Sequence, residues 1–175
     1  IAPYGWEVLV DQPGSTQVQP SNILVSLATA SIGVGELFRA MFAELLPACR
    51  VRPSPAALNI LTFDERSHDL PALPSNIDIG RVHLVGAGAV GQAAIYTLAR
   101  VSATGTLVVV DPEDVSLSNL QRYVLTMDGD VGSSKCSLAA RALRGSRIAS
   151  VCRDYCWGDA ALAAAGQIGE GCAAV

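Results

Sequence analysis

The amino-acid sequence predicts an α/β protein: a Rossmann-like three-layer fold with a mainly parallel sheet, preceded by a helical and strand-bearing N-terminal extension. Three observations lead there. A β-rich run at 82–85 ends in Gly86 and passes through Gly88 and Gly91 into a helical pattern at 89–100. A second apolar run at 106–110 then ends in Asp111, completing strand, glycine turn, helix and strand in the order of a right-handed βαβ crossover. Half of the 175 residues are apolar and only 5% are aromatic, which suits thin, tightly packed α/β layers better than an aromatic-rich β-sandwich.

The elements follow in chain order. Residues 1–20 are rich in turn formers, with one strand-like run at 6–10. Residues 22–46 predict a long, largely buried helix in which Gly33 and Gly35 invite a break and small residues leave room for another backbone. Intramolecular core and a dimer seam are both open for it. A proline-rich loop, a strand-like run at 57–63 and a polar stretch to residue 76 complete a packing and assembly element, domain 1–77, without chemistry of its own. Domain 78–175 carries the βαβ unit, a helix at 135–144, a third strand at 147–155 and a short helix at 159–165. The run 172–175 is expected to open a fourth strand, so this domain is expected to be truncated within it.

Composition excludes several function classes. A net charge of -4 provides no clustered basic face for nucleic acid. No basic segment precedes an apolar one as in a secretory leader. The uncharged apolar stretch 21–35 is shorter than the roughly 20 residues of a membrane span, so a cytoplasmic protein without membrane contact is expected. Five cysteines in no regular framework fit a reducing compartment. Cys152 and Cys156 could start a zinc site, but buried thiols packed as small apolar groups account for them more simply, and no metal ligand is assigned. His83 is expected to be a packed strand residue, and His68 a loop residue.

The chemistry concentrates in three blocks. Gly86-Ala-Gly88-Ala89-Val-Gly91 is a G-x-G-x-x-G turn between strand and helix. Gly86 allows the tight turn, Gly88 lets a phosphate approach the backbone, and Gly91 lets helix and strand pack closely. Free amides and the helix dipole then favour an anion. Asp111 lies about twenty residues after Gly91, where a carboxylate can accept ribose hydroxyls. The plain alternative is a glycine turn with a capping Asp. Next come Asp111-Pro-Glu-Asp-Val-Ser-Leu-Ser118-Asn119-Leu-Gln-Arg122 and Asp130-Val-Gly-Ser-Ser-Lys135. A dinucleotide held by helix amides needs no cationic pair, whereas a triphosphate split at its α-phosphate does. Arg122 provides a planar fork for two phosphate oxygens and Lys135 a mobile point charge. Lys135 is the only lysine in the sequence. Its bland alternative is a solvated residue at a helix start.

These three blocks, in this order and spacing, resemble the adenylation domain shared by ubiquitin-activating enzymes and ThiF/MoeB-like proteins. The resemblance covers residues 78–144 well and the tail loosely, and residues 1–77 not at all. It implies that Gly86, Gly88, Ala89 and Gly91 line an ATP site, with Asp111 on the ribose. Ser118, Asn119 and Arg122 would lie along the phosphates, and Lys135 would reach the phosphate chain. Arg122 and Lys135 are thus the implied catalytic residues. The implied reaction is attack by the C-terminal carboxylate of a ubiquitin-like or sulfur-carrier protein on the α-phosphate of Mg2+-ATP, within a homo- or heterodimer. Tyr123 stands where that family usually has Gln, and the family's metal-binding Asp and any thioester-forming Cys would lie beyond Val175. Two other readings stay open: a non-catalytic scaffold subunit of the same family, and an NAD(P)-linked oxidoreductase.

Overall fold

In a computed structural model, residues 1–10, 22–45, 56–64, 71–153 and 172–174 are described. The expected helix at 159–165, His68 and Cys156 lie outside them. The chain divides into two compact units, Ile1–Leu73 and Pro74–Val175.

The first unit holds strands β1 (Ala2–Tyr4), β2 (Glu7–Val10) and β3 (Ala56–Asn59) in one antiparallel sheet, in that order, together with helix α1 (Ile23–Met41). The hairpin β1–β2 was not evident in the sequence, because Pro3 and Gly5 are turn formers. Pro3 is tolerated because β1 is an edge strand, and Gly5 turns the chain at φ 56°. Asn22 caps α1 by accepting the amide of Val25 at 3.0 Å. The Trp6 indole donates to the Pro71 carbonyl at 2.6 Å.

Two expectations for this helix are corrected. It runs through Gly33 and Gly35 without a break, and nothing among the described residues lies within 4 Å of a Cβ added at either. Nor is it largely buried: of its described side chains only Val25 is enclosed, while Val34, Leu37, Phe38 and Met41 are exposed. Its first turns pack on β1 and β2, and the three-stranded sheet is too short to cover the rest. By length and composition α1 could cross a membrane, although Glu36 and Arg39 form an ion pair on it at 2.9 Å.

The second unit is a four-stranded parallel sheet in the order β6-β5-β4-β7, made of β4 (Ile77–Val85), β5 (Ala103–Val110), β6 (Arg147–Arg153) and β7 (Cys172–Ala174). Helix α2 (Ala89–Leu98) connects β4 to β5, and α3 (Lys135–Ala142) precedes β6. This is the expected mainly parallel Rossmann-like sheet: the chain steps outward through β4, β5 and β6, then returns to the other side of β4. Such a reversal in strand order leaves a crevice at the carboxyl ends of the strands. The run Leu107, Val108, Val109 and Val110 is buried, as expected of an inner parallel strand. Leu84, Leu107, Val109 and Ile148 from the sheet meet Ile95 of α2, Ala139 of α3 and Leu143 at the end of α3 to form the core. His83 is buried in β4, and its pKa is lowered by burial and by the charges of Arg81 and Arg153.

The glycine turn follows β4 directly. Gly86 takes φ 95°, a left-handed conformation that side chains resist, while its amide reaches the Val110 carbonyl at 2.8 Å. A Cβ on Gly91 would lie 2.1 Å from the Gly86 carbonyl oxygen. That approach is backbone against backbone, so nothing soft can yield. Gly91→Ala is therefore expected to destabilise the fold by about 1–3 kcal/mol or more. Gly129→Ala, in open space, should stay within about 0.5 kcal/mol. Urea unfolding of both variants checks the contrast.

Candidate nucleotide site

The site grows from the junction of the turn with the end of β5. Asp111 is buried, and both of its carboxylate oxygens accept backbone amides: Oδ2 from Ala87 at 2.7 Å and Oδ1 from Glu113 at 2.9 Å. The carboxylate thus stitches the glycine turn to the segment leaving β5. An oxygen accepting one amide keeps a second lone pair. The capping and ribose-binding readings of Asp111 are therefore compatible.

Helix α2 begins at Ala89 with Gly88 as its N-cap, and Gln92 is the first residue whose amide returns to Gly88, at 2.8 Å. The amides of Ala89, Val90 and Gly91 precede that bond and have no intrahelical acceptor. Gly88 has an ordinary φ of -75°. Its role is thus the closeness of approach it permits, with no demand on left-handed geometry.

Residues 113–115 fold against 132–135 and close the intervening segment into a loop. Asp114 bridges Ser134, the Val115 amide donates to the Ser133 carbonyl and the Gly132 amide to the Val115 carbonyl, both at 2.8 Å, and the Lys135 amide reaches the Glu113 carbonyl at 3.1 Å. Within the loop, Asn119 is buried and accepts the Ser116 amide at 2.9 Å, fixing the short 3-10 turn Leu117–Asn119. Ser118 is exposed, and its hydroxyl meets that of Ser116 at 2.9 Å. Arg122 is also exposed and donates to the Ser118 carbonyl at 3.3 Å.

Closure of this loop brings Lys135 to the end of the sheet. Only 4% exposed, it pairs with Glu113, whose side chain is open to solvent. The solvated alternative for Lys135 does not hold. Burial alone would lower its pKa, but Glu113, Tyr123 and the nearby charge of Asp111 outweigh that and raise it. Glu113 is lowered in turn by its bond to Lys135.

Tyr123 gathers the parts. Its ring is buried, with the Lys135 ammonium and the Arg122 guanidinium each 5.5 Å from the ring centre. Its hydroxyl lies 3.5 Å from where a Cβ on Gly88 would stand. The glycine turn and both cations therefore meet around one phenol. Of the residues expected from sequence, Gly86, Gly88, Ala89, Gly91 and Asp111 cluster at the turn. Arg122 and Lys135 approach through Tyr123, and Ser118 and Asn119 support the Arg122 segment.

Sequence reasoning missed the braces. Gln92, fully buried, donates to the Ala87 carbonyl at 3.3 Å and accepts the Leu125 amide at 3.0 Å. It links the turn to the loop, and an amide in an otherwise apolar helix face was the available signal. Arg141 reaches Asp130 with both terminal nitrogens, at 2.5 and 2.7 Å, and the Leu125 carbonyl at 2.9 Å. These bonds fasten the loop to α3. Glu113 was equally overlooked, although its position two residues after Asp111 places it on the same segment. Cys136 points its thiol at the carbonyls of Val109, Asp111 and Arg153, and burial pushes its pKa up. It is a packing thiol.

Known proteins share this segment. Residues 72–155 match the model of the ThiF family. The chain is 39% identical over 123 residues to the uncharacterized protein y4jF of Sinorhizobium fredii, covering 69% of this chain and 24% of that one. It is 52% identical over 65 residues to the SAMP-activating enzyme E1 of Haloferax volcanii, covering 37% and 24% respectively. It is 46% identical over 63 residues to the molybdopterin-synthase adenylyltransferase of Escherichia coli, covering 36% and 25%. The chain thus spans about a quarter of the length of these curated relatives.

Two expectations follow from the geometry. A Cβ on Gly88 meets the Tyr123 hydroxyl at an ordinary contact distance, so Gly88→Ala should fold with near-normal stability. If a phosphate rests on this turn, Gly88→Ala should nevertheless weaken nucleotide binding by about tenfold, because it fills the gap over the turn; calorimetric titration reads this directly. The bonds from Arg141 and the Met127 amide lower Asp130 from 3.8 to about 2. A depressed carboxylate stabilises the fold above its unfolded pKa and loses that contribution as pH falls through the folded value. The urea midpoint of Asp130→Asn should lie below the parent's at neutral pH, and the gap should close between about pH 4 and pH 2.

Proposed function

We infer that residues 72–155, a ThiF-family domain, bind ATP and serve the adenylation of a carrier-protein carboxylate. The observation that carries this reading is the burial of the sequence's single lysine beside Asp111, with Arg122 and the glycine turn around the same phenol. A buried ammonium is costly unless paired. Here Glu113 pairs it, and the Tyr123 phenol beside it also borders the glycine turn; a polyphosphate on that turn would find a cation in reach. The similarity to an activating enzyme and to an adenylyltransferase supports the same class.

In the proposed reaction, an oxygen of the carrier's C-terminal carboxylate attacks the α-phosphorus of ATP. A bond between the α-phosphorus and the carboxylate oxygen forms, the bond between the α-phosphorus and the bridging oxygen to the β-phosphorus breaks, and pyrophosphate leaves with the electron pair. The protein contributes positioning and charge, with no nucleophile of its own in this step. The amides of Ala89, Val90 and Gly91 would face phosphate oxygens. Asp111 would accept ribose hydroxyls with its remaining lone pairs. Ser118 and Asn119 would hold the strip from which Arg122 reaches the phosphates. Lys135 would exchange Glu113 for the charge developing on pyrophosphate.

Mg2+ would enter with ATP and neutralise part of the phosphate charge. The carboxylates at the site fit it poorly as resident ligands, since the remaining lone pairs of Asp111 are assigned to ribose and Glu113 holds Lys135. A ubiquitin-like or sulfur-carrier protein is the proposed partner, in a dimer and in the cytoplasm. The N-terminal unit is proposed as an assembly element.

Charge-assisted hydrogen bonds contribute about 1.5–3 kcal/mol each. Lys135→Ala and Arg122→Ala should therefore each weaken ATP binding by about tenfold or more, with excess NAD failing to displace ATP. Equilibrium titration with ATP checks this. Unchanged affinity in both variants would remove the two cations from the site.

A further inference from the structure

We propose that Tyr123 is a positioning residue of the phosphate site: its buried phenol holds the Lys135 ammonium at the mouth of the glycine turn, poised between Glu113 and an incoming phosphate. The inference rests on the ATP-binding reading above and adds to it a residue outside the turn-and-cation set.

The argument begins with how poorly Lys135 would otherwise be held. A lysine ends in a compact charge on a flexible four-carbon stem. Among the described residues it pairs with Glu113, whose side chain is largely exposed, and an ion pair with one solvated member contributes little. The rest of the ammonium's surroundings must come from buried groups. Asp111 acts on it through its charge alone. Tyr123 is a buried polar side chain beside it: its ring centre lies 5.5 Å from the ammonium, and its hydroxyl helps to raise the ammonium's pKa.

The phenol is itself well anchored. Its amide reaches the Asn119 carbonyl at 3.1 Å, and its carbonyl receives the Thr126 hydroxyl at 2.8 Å. The adjoining Leu125 is fixed by Gln92 and Arg141. On its far side the hydroxyl sits over Gly88. A rigid ring between a glycine turn and a mobile cation restricts the cation to the direction of the turn. Removing only the hydroxyl should therefore loosen the lysine while leaving the ring packed.

The sequence makes the test clean, because Lys135 is its only lysine. Site-resolved acylation by an amine-directed reagent, read by mass spectrometry, reports that ammonium, with the N-terminal α-amine of the tested chain as internal control. In Tyr123→Phe, Lys135 should be labelled several-fold faster at a fixed pH near neutrality, with the α-amine unchanged, and ATP should bind about tenfold more weakly. Tyr123→Gln, which restores a hydrogen-bonding group on a flexible stem, should recover part of both. Unchanged Lys135 labelling and unchanged ATP affinity in Tyr123→Phe would overturn the proposal. The underlying reading fails separately: if ATP binds the parent chain without protecting Lys135, the lysine does not face the phosphates. Faster labelling in Tyr123→Phe would even then uphold the hold of Tyr123 on Lys135.

Discussion

The second unit depends on one carboxylate. Asp111 ends an inner strand, and its two oxygens take the amide of the glycine turn on one side and the amide of the departing chain on the other. Those two bonds fix three things together: the path from β4 into α2, the start of the loop that carries Arg122, and the position of the Glu113 segment. Because the Glu113 carbonyl receives the Lys135 amide, α3 inherits its starting point from the same carboxylate. The conformation of the anion-attracting amides and the location of the cations are thus consequences of one buried acceptor. A substitution there would alter stability and binding jointly, whereas Gly88 and Tyr123 offer changes confined to the site.

Around this centre the loop 116–131 is braced from both neighbouring helices. Gln92 holds it from α2 and Arg141 from α3, and both act on Leu125, through its amide and its carbonyl respectively. An irregular segment has no ladder of its own backbone bonds to order it. Its order comes from these polar clamps together with the burial of Tyr123 and the packing of Leu125 against the core. This explains why a site built largely on loops can hold two charges near a preformed turn.

Much of this second unit was legible because its signals are local. The glycine spacing, the β-branched runs and the Asp at a strand end each act within a few residues, and the crossover handedness completes the sheet. Other features depend on groups distant in sequence. The burial of Lys135 requires the bridge between Asp114 and Ser134, which no periodicity announces. The importance of Tyr123 lies in its closeness to Gly88, thirty-five positions away, so its departure from the family pattern was visible while its effect was not. In the first unit, α1 has residues suited to a core, yet the small sheet beneath it covers only its first turns. Hydrophobicity there measured what the helix could bury; the extent of burial was set by a partner surface that sequence periodicity does not describe.

The central claim is that a triphosphate rests between the amides that open α2 and the cations delivered by the following loop. A crystal structure of the chain with bound ATP tests it most directly. The account predicts phosphate oxygens on the amides of Ala89 to Gly91, with the Lys135 ammonium and the Arg122 guanidinium turned onto them. ATP bound elsewhere, with Lys135 still on Glu113 and Arg122 still on Ser118, would contradict it.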